Sequence, residues 1–475
     1  MKISRIIHPG FWFGRSDRER ALALAAQGVG GFCIYGGTVD EIKDLTAALR
    51  VAAPNPLIIS ADYEDGLGRW LKEMPLLPSN ISIGAAAQSG ADLAYKKGLL
   101  TACAARSIGV GWVLAPDVDL ADTPQNPIVN TRSFGSDPEA VAELAKHFMF
   151  GLQEGGCLNS LKHFPGHGAT DTDSHLSLPT VSRSFEQMES AELVPYKKLL
   201  TRADSIMVSH LLVKDYDDKN PASFSAGLIT DYLRGALHYK GVVVTDALMM
   251  GAVKGLNAVD CFKAGADILL APGDPQKLLN DLQAAVDADP ELVKRAANAI
   301  SAQETMIAKL NTLAPRVCGG TNTAQALSLE TALECVSAVG APVRLNRNGE
   351  VSYLEPDIYP SRDFKALEFL QELKKNKIKI KSYQEGDRPD CLVALTTASC
   401  GAFRGHVNFS AKQKILLNKA ISASKKSVLV GLGSPFVNIG LEGLTLFLMA
   451  GTKTEAFQQI CARILTGKVE PKGKM

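Results

Sequence analysis

Charge of one sign, paired cysteines and long apolar runs are scarce in this sequence, and each shortage excludes a class of function. Lys plus Arg number 51 against 50 Asp plus Glu, so there is no basic field to recruit nucleic acid or an anionic membrane surface. No stretch reaches the roughly 18 apolar residues that a membrane-spanning helix requires. Near the start, Arg15, Asp17, Arg18, Glu19 and Arg20 break any signal-like apolar run. The 9 cysteines are scattered, odd in number and without a CxxC pair. They are expected to be free, mostly buried thiols of a reducing compartment rather than disulfides or a zinc site. The cytoplasm is the expected location.

What is present is an ordinary globular composition, 46% apolar and 21% charged over 475 residues, a length that favours two domains. The first two-thirds alternates short apolar runs with longer amphipathic stretches, the pattern of a parallel α/β fold. Strands are expected at Ser4–Ile7, Gly30–Tyr35, Leu57–Ser60, Gly111–Leu114, Leu158–Leu161, Ser205–Val208, Gly241–Thr245 and Asp267–Leu270. Eight such units match a (β/α)8 TIM-like barrel. Polar residues follow five of these strands in succession: Asp62, then Asp117 and Asp119, then Lys162 and His163, then His210, then Asp246. In such a barrel these strand ends converge on one face. The expected division is a catalytic barrel with closing helices at 1–313, a linker at 314–329 and a smaller C-terminal α/β sandwich domain at 330–475. Strands of the second domain are expected at Val336–Val339, Val343–Leu345, Lys377–Tyr383, Cys391–Leu395, Ser427–Val430 and Thr445–Met449, with helices at Arg362–Lys375, Ala411–Ser424 and Lys453–Leu465. No loop of that domain is expected to reach the site, and it shows no GxGxxG or P-loop.

The densest chemistry lies in Leu161–Pro179, LKHFPGHGATDTDSHLSLP, which holds His163, His167 and His175 beside Lys162, Asp171 and Asp173. Its glycines and prolines rule out one regular helix or strand. A metal set drawn from these residues matches no standard ligand spacing. Acid–base chemistry fits better. In an extended Asp173-Ser174-His175 the carboxylate and the imidazole point to the same side, and such a pair equips a histidine to exchange a proton near neutral pH. Asp246, at the end of the apolar run GVVVTD, is a candidate nucleophile.

Several motifs then point together. Lys162-His163-Phe164-Pro165-Gly166-His167-Gly168, continued by Asp173-Ser174-His175 and Leu178-Pro179, resembles the β-N-acetylglucosaminidases of glycoside hydrolase family 3. So do Asn126-Pro127 with Arg132-Ser133-Phe134-Gly135, and Thr245-Asp246-Ala247-Leu248-x-Met250. The resemblance implies Asp246 as nucleophile and His175 with Asp173 as the acid/base dyad. It places Asp62, Arg132, Lys162 and His163 on the sugar hydroxyls, with Asp119 in an APxxD element and His210 among the substrate-binding residues. It implies a small-molecule glycan substrate and no cofactor or metal. Ala169 stands where the family commonly has Asp. The DYEDGLGR element after Asp62 is one residue shorter than the family's DxEGGxVxR, which leaves Arg69 outside the expected ligands. Gly166, Gly168 and Ala169 are the expected hinge of a moving loop. The rival readings are a β-glucosidase or β-xylosidase, a GlcNAc phosphorylase of the same family, and a non-catalytic carbohydrate-binding relative.

Overall fold

The computed structural model describes residues 2–356 and 366–474. In the first domain the strands are β1 (Ile7–His8), β2 (Gly10–Trp12), β3 (Gly31–Tyr35), β4 (Ile58–Ala61), β5 (Trp112–Val113), β6 (Leu161–Phe164), β7 (Ser205–Val208), β8 (Val242–Thr245) and β9 (Leu269–Leu270). All pair in parallel, as a four-stranded sheet β2-β3-β4-β5, a three-stranded sheet β6-β7-β8 and the pair β1-β9. Single bridges from Trp112 to Leu158 and from Val244 to Ile268 link one sheet to the next. The result is a barrel-like set of parallel strands with an interrupted ladder.

Strand period fixes which residues face the inside. Cys33, Ile58, Trp112, Leu158, Met207, Val242 and Val244 form a separate buried cluster that fills the barrel. Their neighbours Phe32, Ile34, Ile59, Ile206, Val208 and Val243 belong to the larger core beneath the helices. The helices read as their sequences suggest. Val39–Ala52 starts in a capping box between Thr38 and Glu41, and Pro138–Glu154 starts with Asp137 as N-cap and a proline in its first turn.

The second domain is a six-stranded sheet in the order β10-β15-β14-β13-β11-β12. Its strands are β10 (Ser337–Gly340), β11 (Glu350–Leu354), β12 (Lys379–Ser382), β13 (Cys391–Thr396), β14 (Lys426–Gly431) and β15 (Leu446–Met449), and only the β10–β15 pairing is antiparallel. It docks on the barrel through buried hydroxyls. Ser82 Oγ donates to Ala450 O (2.7 Å), Ser79 Oγ donates to Gly451 O (2.9 Å), and Thr452 Oγ1 accepts from Ser79 N (2.9 Å). Gly451 has φ +72°, and a Cβ there would lie 2.7 Å from Ser82 Oγ, so both backbone and space require glycine.

Several expectations shift. Ser4–Ile7 is mostly a 3-10 turn, Ile3–Ile6, whose Ser4 Oγ donates to Gly28 O (2.9 Å). The fifth strand runs Leu161–Phe164 rather than Leu158–Leu161, so Lys162 and His163 lie on the strand itself. Charged partners inside the barrel mouth make that burial tolerable, as shown below. Val343–Leu345 is not a strand; Glu350–Leu354 is. Within and beyond the expected linker, Thr321–Cys335 is a helix. The start of the expected Arg362–Lys375 helix lies outside the described residues, and Leu367–Lys375 is helical.

The cysteine expectation is corrected. Cys103, on the helix Gly90–Ser107, forms a disulfide with Cys318, which lies 215 residues away. Seven others are free, and all of these except Cys400 are buried. A pair brought together only by folding leaves no spacing signal, and with it cysteine usage stops arguing for a reducing compartment. No described helix is long and apolar enough to cross a membrane.

Candidate active site

A cavity of about 410 Å³ opens at the C-terminal ends of the barrel strands. Asp62, Arg132, Lys162, His163, His175 and Asp246 all line it. Alternation explains much of this. Ile58 and Val242 face inward, and the same parity carried past the strand ends delivers Ser60, Asp62 and Glu64 on one side and Val244 and Asp246 on the other.

Glu64 is the centre of the charged half. Its carboxylate takes a bidentate pair from Arg132, Nη2 to Oε1 and Nε to Oε2, both 2.8 Å. Lys162 Nζ lies 2.5 Å from Glu64 and 2.8 Å from Asp62, and Arg69 lies 3.2 Å from Glu64. Burial opposes ionisation of Glu64, yet the cations Arg132, Arg69 and Lys162 hold its carboxyl well below the usual range. Burial likewise opposes the Lys162 charge, and Asp62 and Glu64 outweigh it, leaving the ammonium more basic than usual.

His163 is locked as a neutral ring. Nδ1 lies 2.6 Å from Asp119 Oδ2, and Arg132 Nη2 donates to Nε2 at 3.1 Å. A nitrogen that accepts from a guanidinium carries no proton, so the proton sits on Nδ1. Burial first, then the Arg132 charge, lower this histidine to about 4. Asp119 also accepts from the His167 amide at 2.7 Å. It therefore positions two residues of the KHFPGHG turn and does not itself line the cavity. His210 is also absent from the wall. Its parity is that of Ile206 and Val208, which face the helices, and it bonds Ser223 Oγ (2.7 Å) and Ala247 O (3.2 Å).

Asp246 follows β8, its amide donating to Val208 O (2.9 Å) while Ala247 N donates to its Oδ1 (2.7 Å). Burial would raise this carboxyl, but His163, His210 and His175 and the Ala247 amide bring it down to about 2. It is an anion at neutral pH.

Asp173 and His175 do pair. Asp173 Oδ1 accepts from the His175 amide and lies 2.9 Å from its Nδ1. Asp173 is buried behind the ring, and His175 itself lines the cavity. This tip is tied to the chain after Asp246, for Gly251 N donates to His175 O and Ala252 N to Ser174 O, both 3.1 Å. A carboxylate-oriented imidazole and an anionic carboxylate thus share one cavity, the equipment for proton exchange and nucleophilic attack.

A sequence model described as the glycosyl hydrolase family 3 N terminal domain matches residues 1–305. The chain belongs to glycosyl hydrolase family 3. It is a glycosidase. Over 266 residues it is 35% identical to a beta-hexosaminidase of Tolumonas auensis, covering 54% of this chain and 79% of that one. Over 257 residues it is 36% identical to a beta-hexosaminidase of Xylella fastidiosa, covering 52% and 75%. Among solved structures, a family 3 beta-N-acetylglucosaminidase from a Paenibacillus strain superposes with TM-score 0.86 at 25% identity, over 100% of this chain and 97% of that one. A beta-glucoside phosphorylase superposes with TM-score 0.87 at 21% identity, a likeness of fold.

Several wall residues lie outside the family 3 motifs. Glu64 was legible by parity, two positions beyond Asp62. Arg69 reaches the cavity despite the shortened loop. Trp12, Tyr35 and Trp70 form a stacked and edge-on aromatic set on one wall, and no motif marks them. Gly401, Ala402 and Phe403 come from the second domain, contrary to expectation. At the expected hinge the structure shows close packing. Asn126 Nδ2 donates to His167 O (2.8 Å) and Gly168 O (3.1 Å), a Cβ on Gly168 would meet Leu120 O at 2.4 Å, and Ala169 is buried. These small residues serve close packing.

Among the described residues, Asp117, Asp119 and His163 bring ligand-type atoms within 4.8 Å of one another. Arg132 Nε stands 3.4 Å from Asp117 Oδ2, so a cation there would face a fixed guanidinium.

Proposed function

We propose that the protein is a retaining, exo-acting β-N-acetylglucosaminidase that releases terminal GlcNAc from small glycans, muropeptides or chito-oligosaccharides. The observation that carries this reading is the Asp173–His175 pair, 2.9 Å apart, opening on the same cavity as the Asp246 anion. In the first step the Asp246 carboxylate bonds to C1 of the sugar as the C1–O bond to the leaving group breaks, and His175 gives its proton to that oxygen. In the second, His175 takes a proton from water, water attacks C1, and Asp246 leaves as carboxylate. Two displacements retain configuration. Asp173 holds the imidazole in one tautomer and stabilises its charged form. Asp62, Arg132, Lys162 and His163 grip the sugar hydroxyls, with Asp119 fixing His163 from behind and His210 supporting the Asp246–Ala247 turn. The names of the beta-hexosaminidase relatives support the sugar class.

Nitrophenyl glycosides test this. N-acetyl-β-glucosaminide is expected to turn over fastest, and faster cleavage of the glucoside or xyloside would refute the sugar assignment. The same assay in phosphate buffer separates hydrolysis, which yields free GlcNAc, from phosphorolysis, which yields GlcNAc-1-phosphate. An imidazole acid/base carries no fixed negative charge to repel phosphate, so the second product is a real rival.

A further inference from the structure

We propose that Phe403, contributed by the second domain, forms the wall of the leaving-group subsite, and that this subsite takes an aglycone with an apolar ring face, a pyranose or an aryl group. The inference rests on the acid/base reading of His175. A general acid acts within hydrogen-bond reach of the oxygen it protonates. That oxygen joins the sugar to its aglycone, so whatever flanks His175 on the cavity side flanks the aglycone.

Phe403 is what flanks it. The two ring centroids lie 5.0 Å apart at 59°, and both residues line the cavity. The phenyl ring is 63% exposed, so it contributes little to folding by burial. Its backbone sits at φ +64°, a conformation that a bulky side chain rarely adopts and that persists only where its surroundings impose it. The surroundings do so from the barrel. Gly401 N donates to Pro127 O (3.3 Å), Cys400 Sγ to Val129 O (3.6 Å), and Gly405 N to Asp173 Oδ2 (3.2 Å). The loop therefore carries an exposed aromatic ring to the acid/base while bonding the carboxylate that orients it. Met249, from the barrel, is 50% exposed and lines the same cavity. Together they make this half apolar, in contrast to the charged half around Glu64. A sugar or aryl ring stacks on such a surface by its apolar face.

The test measures kcat/KM of wild type, Phe403→Ala and Phe403→Trp on two substrates, N,N′-diacetylchitobiose, whose leaving group is a sugar, and GlcNAc fluoride, whose leaving group has no ring. Phe403→Ala is expected to lower the chitobiose-to-fluoride selectivity about fivefold, chiefly through the chitobiose KM, and Phe403→Trp to restore it. Unchanged selectivity, equal losses on both substrates, or a chitobiose loss carried by kcat alone overturns the subsite, the last because Phe403 would then act only through His175. Met249→Ala, expected to shift selectivity in the same direction, decides the matter should Phe403→Ala fail to fold. Failure of the acid/base reading itself shows separately, as a His175→Ala enzyme that loses equally on chitobiose and on the fluoride.

Discussion

The two halves of the cavity are built on opposite principles. Around Glu64, four charged side chains from three elements interlock within 2.5–3.2 Å, with Glu64 and Lys162 fully buried and Arg132 and Arg69 partly so. At the Asp173–His175 tip, one buried carboxylate holds one half-exposed imidazole, clasped by a loop from the other domain. The first arrangement cannot move without stranding a buried charge, which suits it to the proposed grip on sugar hydroxyls. The second leaves its imidazole open to the cavity, as proton exchange requires. The contrast teaches that stability and chemistry are separable here, and substitutions on each side should divide accordingly.

The largest effect is expected from Asp246→Ala, which should lower kcat by roughly 10⁴–10⁶-fold with an unchanged thermal midpoint. A mere tenfold loss would remove Asp246 from the chemistry. His175→Ala should slow glycosides with poor leaving groups by roughly 10²–10⁴-fold and activated aryl glycosides far less, since a good leaving group needs little protonation. Equal losses on both classes would contradict its role as acid. Its cost in stability should stay under about 1 kcal/mol. Glu64→Gln inverts the pattern. With Arg132, Arg69 and Lys162 left facing a neutral amide, a loss of about 3–5 kcal/mol is expected in denaturant unfolding, and a loss no larger than that of His175→Ala would erase the distinction between the halves.

Acid should sharpen it further. His8, His163 and His167 are each lowered from 6.5 to about 4, by burial first. Between those values the unfolded chain binds the more protons, so the stability these rings contribute is full above pH 6.5 and is lost as pH falls toward 4. Asp117, raised by burial and by Asp119 beside it, opposes this, as do the buried carboxyls of Asp119, Glu192 and Asp204, while His210, lowered by burial, adds to it. The thermal midpoint should therefore fall on acidification from pH 6.5 to 4. A midpoint that rose instead would show that the raised carboxyls outweigh the buried histidines.

Much of this was legible before folding. Strand period placed Asp62 and Asp246 at the barrel mouth, and the same period would have added Glu64 and removed His210, whose parity faces the helices. Lys162 and His163 were harder, because a lysine and a histidine after an apolar run read as its end. Only the carboxylates of Asp62, Glu64 and Asp119, brought from distant segments, let the strand continue through them. Phe403 and the Cys103–Cys318 bond had no local signal. Their partners lie 228 and 215 residues away along the chain, and proximity made only by folding leaves no mark in spacing.

Asp246 is expected to attack the sugar while His175 supplies the proton. Reaction with 5-fluoro-N-acetylglucosaminyl fluoride, followed by peptide mass spectrometry, tests it most directly. One fluorosugar adduct is expected, on the peptide that carries Asp246. An adduct on another side chain, or none from an enzyme that turns over GlcNAc glycosides, would contradict it.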